Sequence, residues 1–338
     1  MSRGIVLTAP QPCPDRGVLA FHMRLRLAFL PLLALGAVLA TLTLAGPAAS
    51  VAQAKPFIGL ADHNIGTLQD PRYQKAKLKY LRITVSYDVV RKGGKRLDAQ
   101  DAFLAGAQRQ KRDVLVSFYR TASCSPKCAA RRLPSVSGFR SDFRKFRKRY
   151  PWIKKFSTWN EENFPKAQPT GRNPKRTGQF YLMLRKECRG GKCSVLTGDF
   201  RANGSKFDKQ WFKTFRKTIG GGSHSWGLIN YPDINKFQTK YTRQFLKDTK
   251  RGNVYITEAG AFNFFTPFYK ASLSRQNKAM KYLMTKSWKP SSRIKAMYVY
   301  NWRAAKKNKT FDSSLLNSNG TERPAYKTFF KYLKGFRH

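Results

Sequence analysis

Eight short runs rich in β-branched and aromatic residues recur through residues 55–338, separated by about 20–45 residues. They cover residues 57–60, 80–85, 114–118, 155–159, 194–198, 226–229, 254–257 and 297–300. The gaps hold stretches with helical spacing of apolar residues, among them 141–150 with Phe143 and Phe146, 177–186 with Phe180, Tyr181 and Leu184, and 241–247. Near-continuous apolar strands alternating with helices specify a parallel sheet covered on both faces. Eight such units predict a single α/β domain over residues 55–338, a (β/α)8 or TIM barrel. No linker, low-complexity tract or charge block interrupts the series.

The preceding segment reads differently. An apolar run at 27–46 follows Arg24 and Arg26 and leads to small residues ending Ala52-Gln53-Ala54. A basic start, an apolar middle and an A-x-A site make up a secretory signal peptide, so residues 1–54 are expected to be removed after Ala54. Met23 begins a tidier leader than Met1 does. The expected location is outside the cell or at its wall. An uncleaved membrane anchor over 27–46 is the alternative, with Pro31 and Gly36 interrupting it.

The chain carries 66 Lys+Arg against 18 Asp+Glu, a net charge of +48, which loss of the leader lowers only to +45. With 41% hydrophobic and 14% aromatic residues it is not a disordered polycation, so the charge must coat a folded surface. Such a surface attracts polyanions in general, including acidic polysaccharide and anionic wall polymer. Nucleic acid is a poor candidate, because export separates the two and no recognition motif is present. Four histidines, with His22 in the leader and His338 at the terminus, leave no metal constellation. Gly190-Gly191 and the triplet at 220–222 lack the flanks of a phosphate loop, and no cofactor is implied.

Export also bears on the cysteines. Cys124, Cys128, Cys188 and Cys193 remain in the mature chain, an even number suited to an oxidising compartment. Three pairings, or a four-cysteine zinc site, are formally open. In a barrel the first pair follows strand three and the second precedes strand five, at opposite ends of strands about 20 Å long, whereas a disulfide spans at most about 7 Å between Cα atoms. Two local disulfides, Cys124–Cys128 and Cys188–Cys193, are therefore expected.

The acids are more informative than the bases. Of only five glutamates, Glu161 and Glu258 follow directly on the fourth and seventh runs, in Trp159-Asn160-Glu161-Glu162 and Ile256-Thr257-Glu258-Ala259. In a barrel those strand ends lie on the face where active sites are built, so carboxylates 97 residues apart in sequence would meet across one mouth. Glycoside hydrolysis requires such a pair. His63 after the first run and Tyr119 after the third are candidate substrate contacts, with Arg120 and Trp226 beside them.

Trp159-Asn160-Glu161 and Ile256-Thr257-Glu258, set in the eight-run layout, resemble clan A of the glycoside hydrolases, the retaining (β/α)8 enzymes. The resemblance covers nearly all of the mature chain. It implies Glu161 as acid/base, Glu258 as nucleophile and Asn160 as a hydrogen-bond donor to the sugar 2-hydroxyl. It further implies Tyr231 as the tyrosine that holds the nucleophile, Arg82 as an arginine beside it, and Trp302 as an aromatic platform under the sugar. The segment 311–316, with Gly320 and 323–326, is similar to the closing loop and last helix of secreted members. Two departures stand out: Glu162 replaces the proline usual after the acid, and Ile229 replaces a histidine. The implied activity is a secreted, monomeric, retaining glycosidase acting on a polysaccharide or oligosaccharide, with carboxyl groups about 5–5.5 Å apart. The alternative is a non-catalytic cationic barrel that binds carbohydrate or cell wall without cleaving it. Around Glu161, neighbouring carboxylates raise the proton affinity while cations lower it, and the sequence leaves that balance open.

Overall fold

Eight parallel strands close on themselves in the computed structural model, which describes residues 54–338 except Cys124. The chain divides into a unit at Met1–Val51 and one at Ala52–His338, and only the second falls among the described residues. The expected leader, save Ala54, and the alternative anchor thus lie outside them. No described helix is long and apolar enough to cross a membrane.

The strands are β1 (Phe57–Ala61), β2 (Tyr80–Ser86), β3 (Asp113–Tyr119), β4 (Lys155–Ser157), β5 (Ser194–Leu196 and Asp199–Arg201), β6 (Trp226–Ile229), β7 (Val254–Ala259) and β8 (Ile294–Tyr300). β1 pairs with both β2 and β8. Closure runs through the two halves of β5, the first pairing with β4 and the second with β6. The intervening helices are α1 (Pro71–Lys75), α2 (Lys95–Arg109), α3 (Val136–Arg149), α4 (Pro174–Glu187), α5 (Lys206–Ile219), α6 (Lys240–Thr249), α7 (Leu273–Thr285) and α8 (Pro324–Leu333). This is the (β/α)8 barrel expected from the eight runs.

Two strand ends depart from expectation. The fifth run stops at Gly198, whereas β5 resumes beyond it as Asp199–Arg201. Gly198 has φ +141°, and a β-carbon there would collide with the Glu162 carboxyl. Only glycine lets the strand kink over that side chain and continue. The seventh run stops at Thr257, yet β7 continues to Ala259, so Glu258 lies within the strand.

The period of two along each strand separates the layers of the interior. On β2, Tyr80 points into the lower barrel, where it joins Phe57, Leu115, Leu196, Ala296 and Tyr298 in an apolar plug. Phe57 and Tyr80 stack with ring centres 4.1 Å apart. Two residues on, Arg82 occupies a polar middle layer, and Thr84 reaches the mouth. Outside, α3 places Phe139, Phe143 and Phe146 on one face, each with its ring centre 5.3–5.7 Å from Phe118 of β3. Its basic residues take the other face, and burying each phenylalanine contributes about 1.5–3 kcal/mol. Apolar inner stripes with cationic outer faces let so basic a chain fold.

Between α4 and β5, Cys188 and Cys193 form the expected local disulfide, Cα atoms 4.8 Å apart. Cys128 is disulfide-bonded, and its expected partner Cys124 lies outside the described residues.

Candidate active site

At the C-terminal ends of the strands opens a cavity of about 950 Å³, and Arg82, Asn160, Glu161, Tyr231, Glu258, His63 and Tyr119 all line it. Seven of the ten residues singled out for catalysis or binding are therefore brought together, and Arg120, Trp226 and Trp302 do not line the cavity. Trp302 shows why. It is fully buried, its indole N–H donates to Asp70 at 3.1 Å, and its ring packs edge-on against Tyr73. The expected platform role is corrected: at the end of β8 the residue facing the cavity is Tyr300, while Trp302, two residues on, is drawn under the first loop by the Asp70 carboxylate. Trp226 is likewise turned away, packed outside the barrel against Phe212 and Phe245.

Arg82 organises the centre. Its Nε donates to Ser117 Oγ at 3.1 Å, Nη1 to Glu258 Oε2 at 2.5 Å, and Nη2 to Asp199 Oδ2 at 2.6 Å and to Asn160 Oδ1. Ser157 satisfies the other Asp199 oxygen at 2.7 Å. Burial opposes the guanidinium charge, but Asp199 and then Glu258 outweigh it and hold its pKa above the ordinary arginine value. Because the Asn160 oxygen accepts from Arg82, its amide nitrogen is left to donate elsewhere. Tyr231 donates to Glu258 Oε1 at 2.7 Å, and burial followed by the Glu258 charge raises the phenol pKa well above its usual value, keeping it a donor. Glu258 thus accepts from opposite sides, fixed in place with part of its surface open to the cavity.

Glu161 sits in a loop after β4 with φ +49°, an uncommon conformation for a residue with a β-carbon. Arg201 Nε stands 3.4 Å from Glu161 Oε1 while its guanidinium covers the Phe164 ring. Burial dominates and pushes the Glu161 pKa up; Arg201 pulls it down and the Glu258 charge pushes it up again, for a net rise. The balance left open by the sequence therefore falls toward a raised proton affinity.

Glu162 turns away from the cavity and is buried beneath Gly198 with Oε2 unpartnered. Burial, then the nearby Asp199 charge, raises its pKa well above the usual glutamate value. The unfolded chain ionises near pH 4.3, so this carboxyl, held neutral in the fold, costs stability increasingly as pH rises above that value. Glu162→Gln is expected to melt at a higher temperature than the wild type near pH 7, with the gap closing near pH 4. Thermal melts across that range check this, and a gap independent of pH would refute it.

Residues missed in the sequence complete the site. Arg201 and Asp199 were hidden by Gly198, which reads as a strand end. A two-stranded ribbon pairs Phe264–Phe265 with Phe311–Asp312 beside the mouth, bringing Phe262, Phe265, Phe268, Tyr269 and Phe311 to the cavity. Phe268 is 72% exposed. The aromatic density of 262–269, unusual for a loop, was the available signal.

No protein-family model matches the chain, and no curated relative does either. Solved structures match over most of it. Xylanase 10B of Thermotoga maritima superposes with a TM-score of 0.57 at 10% identity, over 82% of this chain and 95% of that one. Endo-1,4-β-xylanase XylE of Penicillium canescens gives 0.58 at 14%, over 84% and 96%. A GH30 endoxylanase of Clostridium papyrosolvens gives 0.54 at 15%, over 83% and 72%. At these identities the likeness is one of fold, and the chain is a single (β/α)8 barrel of the architecture these xylanases have.

Proposed function

We propose that the protein is a secreted, monomeric, retaining glycoside hydrolase acting by double displacement on a polysaccharide or oligosaccharide. The observation that carries the reading is the pairing of two unlike carboxyl groups in one cavity. Glu258 accepts hydrogen bonds from Arg82 and Tyr231, while Glu161 is held toward its protonated form. Environments that separate two carboxyls in this way assign acid and nucleophile. Glu258 attacks the anomeric carbon as Glu161 gives its proton to the departing oxygen. Glu161 then takes a proton from water, whose oxygen displaces Glu258. The free Asn160 amide N–H donates to a hydroxyl beside the reacting carbon, and the aromatic wall offers faces on which sugar rings stack. Solved structures that share this fold include xylanases and β-1,4-mannanases, which puts xylan and mannan first in a substrate screen.

The test is hydrolysis of aryl glycosides and polysaccharides by wild type, Glu161→Gln and Glu258→Gln. The two variants are expected to lose turnover, and equal turnover in all three would sink the assignment. A non-catalytic sugar-binding barrel would instead show binding and no hydrolysis in any of them.

Arg201 supplies a finer check. Its charge favours ionised Glu161, and the acid is active only while protonated, so activity falls as pH rises through its pKa. Arg201→Ala should raise that pKa and move the alkaline limb of the kcat/KM profile to higher pH. A limb that stays put or moves down would remove Arg201 from this role.

A further inference from the structure

Beside the catalytic mouth lies a second concavity of about 550 Å³, lined by Lys127, Arg131, Lys166, Arg172 and the buried Gln168 among others. It is formed by the loops after β3 and β4. The four basic side chains are exposed, no carboxylate lines the concavity, and among the described residues none forms an ion pair with any of the four. Four unneutralised cations around one hollow repel one another unless an anion joins them.

Gln168 makes the hollow more than a charged patch. It is 1% exposed, its amide oxygen accepts from the Trp159 indole at 3.1 Å, and its amide nitrogen has no partner. The Trp159 bond fixes which end of the amide is committed, so the end left over is a buried donor on a residue that lines the hollow. A buried donor without an acceptor costs about 1–3 kcal/mol. The same loop lines both the hollow and the catalytic cavity. Phe164 lines the cavity while the next residues, Pro165 and Lys166, line the hollow. Arg120 lies over the Tyr119 ring of the cavity and donates to the Ala167 carbonyl in the hollow's own loop.

We infer that this hollow is an extended subsite for an acidic glycan, a chain bearing carboxylate or sulfate groups that runs from the catalytic cavity across Phe164 into the basic pocket. The inference rests on the glycosidase reading for what occupies the cavity, and it names the substrate class. Ammonium and guanidinium groups together with the Gln168 amide supply only donors, which complements an acid group and its neighbouring hydroxyls.

The test reads binding rather than turnover, on the full chain carrying Glu258→Gln. Lys127, Arg131, Lys166 and Arg172 are changed together to Gln. A control changes Lys206, Lys209, Lys213 and Lys217 of α5 to Gln, removing the same charge from an exposed helix face. Polygalacturonate, heparin, neutral xylan and duplex DNA are titrated at two salt concentrations. The groove variant is expected to bind polygalacturonate or heparin about tenfold more weakly, with a shallower salt dependence, while the control stays within about twofold. A response to polygalacturonate shows that carboxylate suffices, and a response to heparin alone shows that sulfate is needed. Equal losses in both variants, no loss in either, or an equal loss for DNA would overturn the inference. Groove-dependent binding without hydrolysis by the wild-type protein would defeat the glycosidase reading and leave the subsite standing; hydrolysis with groove-independent binding would do the reverse.

Discussion

Glu258→Gln is expected to lower hydrolysis by about 10⁴-fold or more, because an amide cannot form the glycosyl-enzyme bond and the remaining groups act only as a unit with it. The fold should tolerate the change. Arg82 keeps Asp199, Asn160 and Ser117 as partners, and the glutamine oxygen can still accept from Tyr231. Glu161→Gln should behave differently. Loss of a general acid costs about 10²–10⁴-fold where the leaving group needs a proton, and far less for an aryl glycoside whose phenol departs as an anion. The first variant is thus defective on every substrate, and the second in proportion to leaving-group basicity. Substrate-by-substrate kinetics of the two variants measure this contrast, and a uniform loss in both would remove the assignment of roles.

The second large effect concerns stability. Arg82→Met is expected to cost about 3–5 kcal/mol, since it leaves Asp199 fully buried with the Ser157 hydroxyl to offset its charge. For a domain this large that corresponds to a fall in Tm of roughly 10 °C. Methionine fills much of the arginine volume, so the loss tests charge more than packing. Arg82→Met combined with Asp199→Asn should recover part of it, because the orphaned charge goes too. Chemical denaturation of the two proteins provides the measurement. An Arg82→Met protein as stable as wild type, or a double variant less stable than the single one, would show that the polar layer does not hold the barrel in this way.

Much of this was legible in the sequence, for a physical reason. Buried parallel strands must be near-continuously apolar, so all eight appear as runs, and residues at their C-terminal ends inherit a common face. Glu161 and Glu258 could be placed from their positions at strand ends, and Asn160, Tyr231 and Arg82 from the resemblance to clan A. What escaped depended on contacts between distant segments. Asp199 and Arg201 were lost because Gly198 resembles a terminator, and its special φ has meaning only once Glu162 is seen lying beneath it. Trp302 was misplaced because a sequence cannot show that Asp70, 232 residues earlier, reaches its indole. The sequence showed Glu162 only as a replacement for the usual proline, and its burial shows it turned away from the cavity.

The account turns on a covalent bond to Glu258. An activated 2-deoxy-2-fluoro aryl glycoside slows both steps by disfavouring the oxocarbenium-like transition state, while its good leaving group keeps the first step accessible, so the intermediate accumulates. Using the parent sugar that the screen identifies, mass spectrometry of the digested protein should find the added sugar on the peptide containing Glu258, and not in Glu258→Gln. A sugar attached at Glu161 or Glu162, or hydrolysis that persists undiminished in Glu258→Gln, would contradict it.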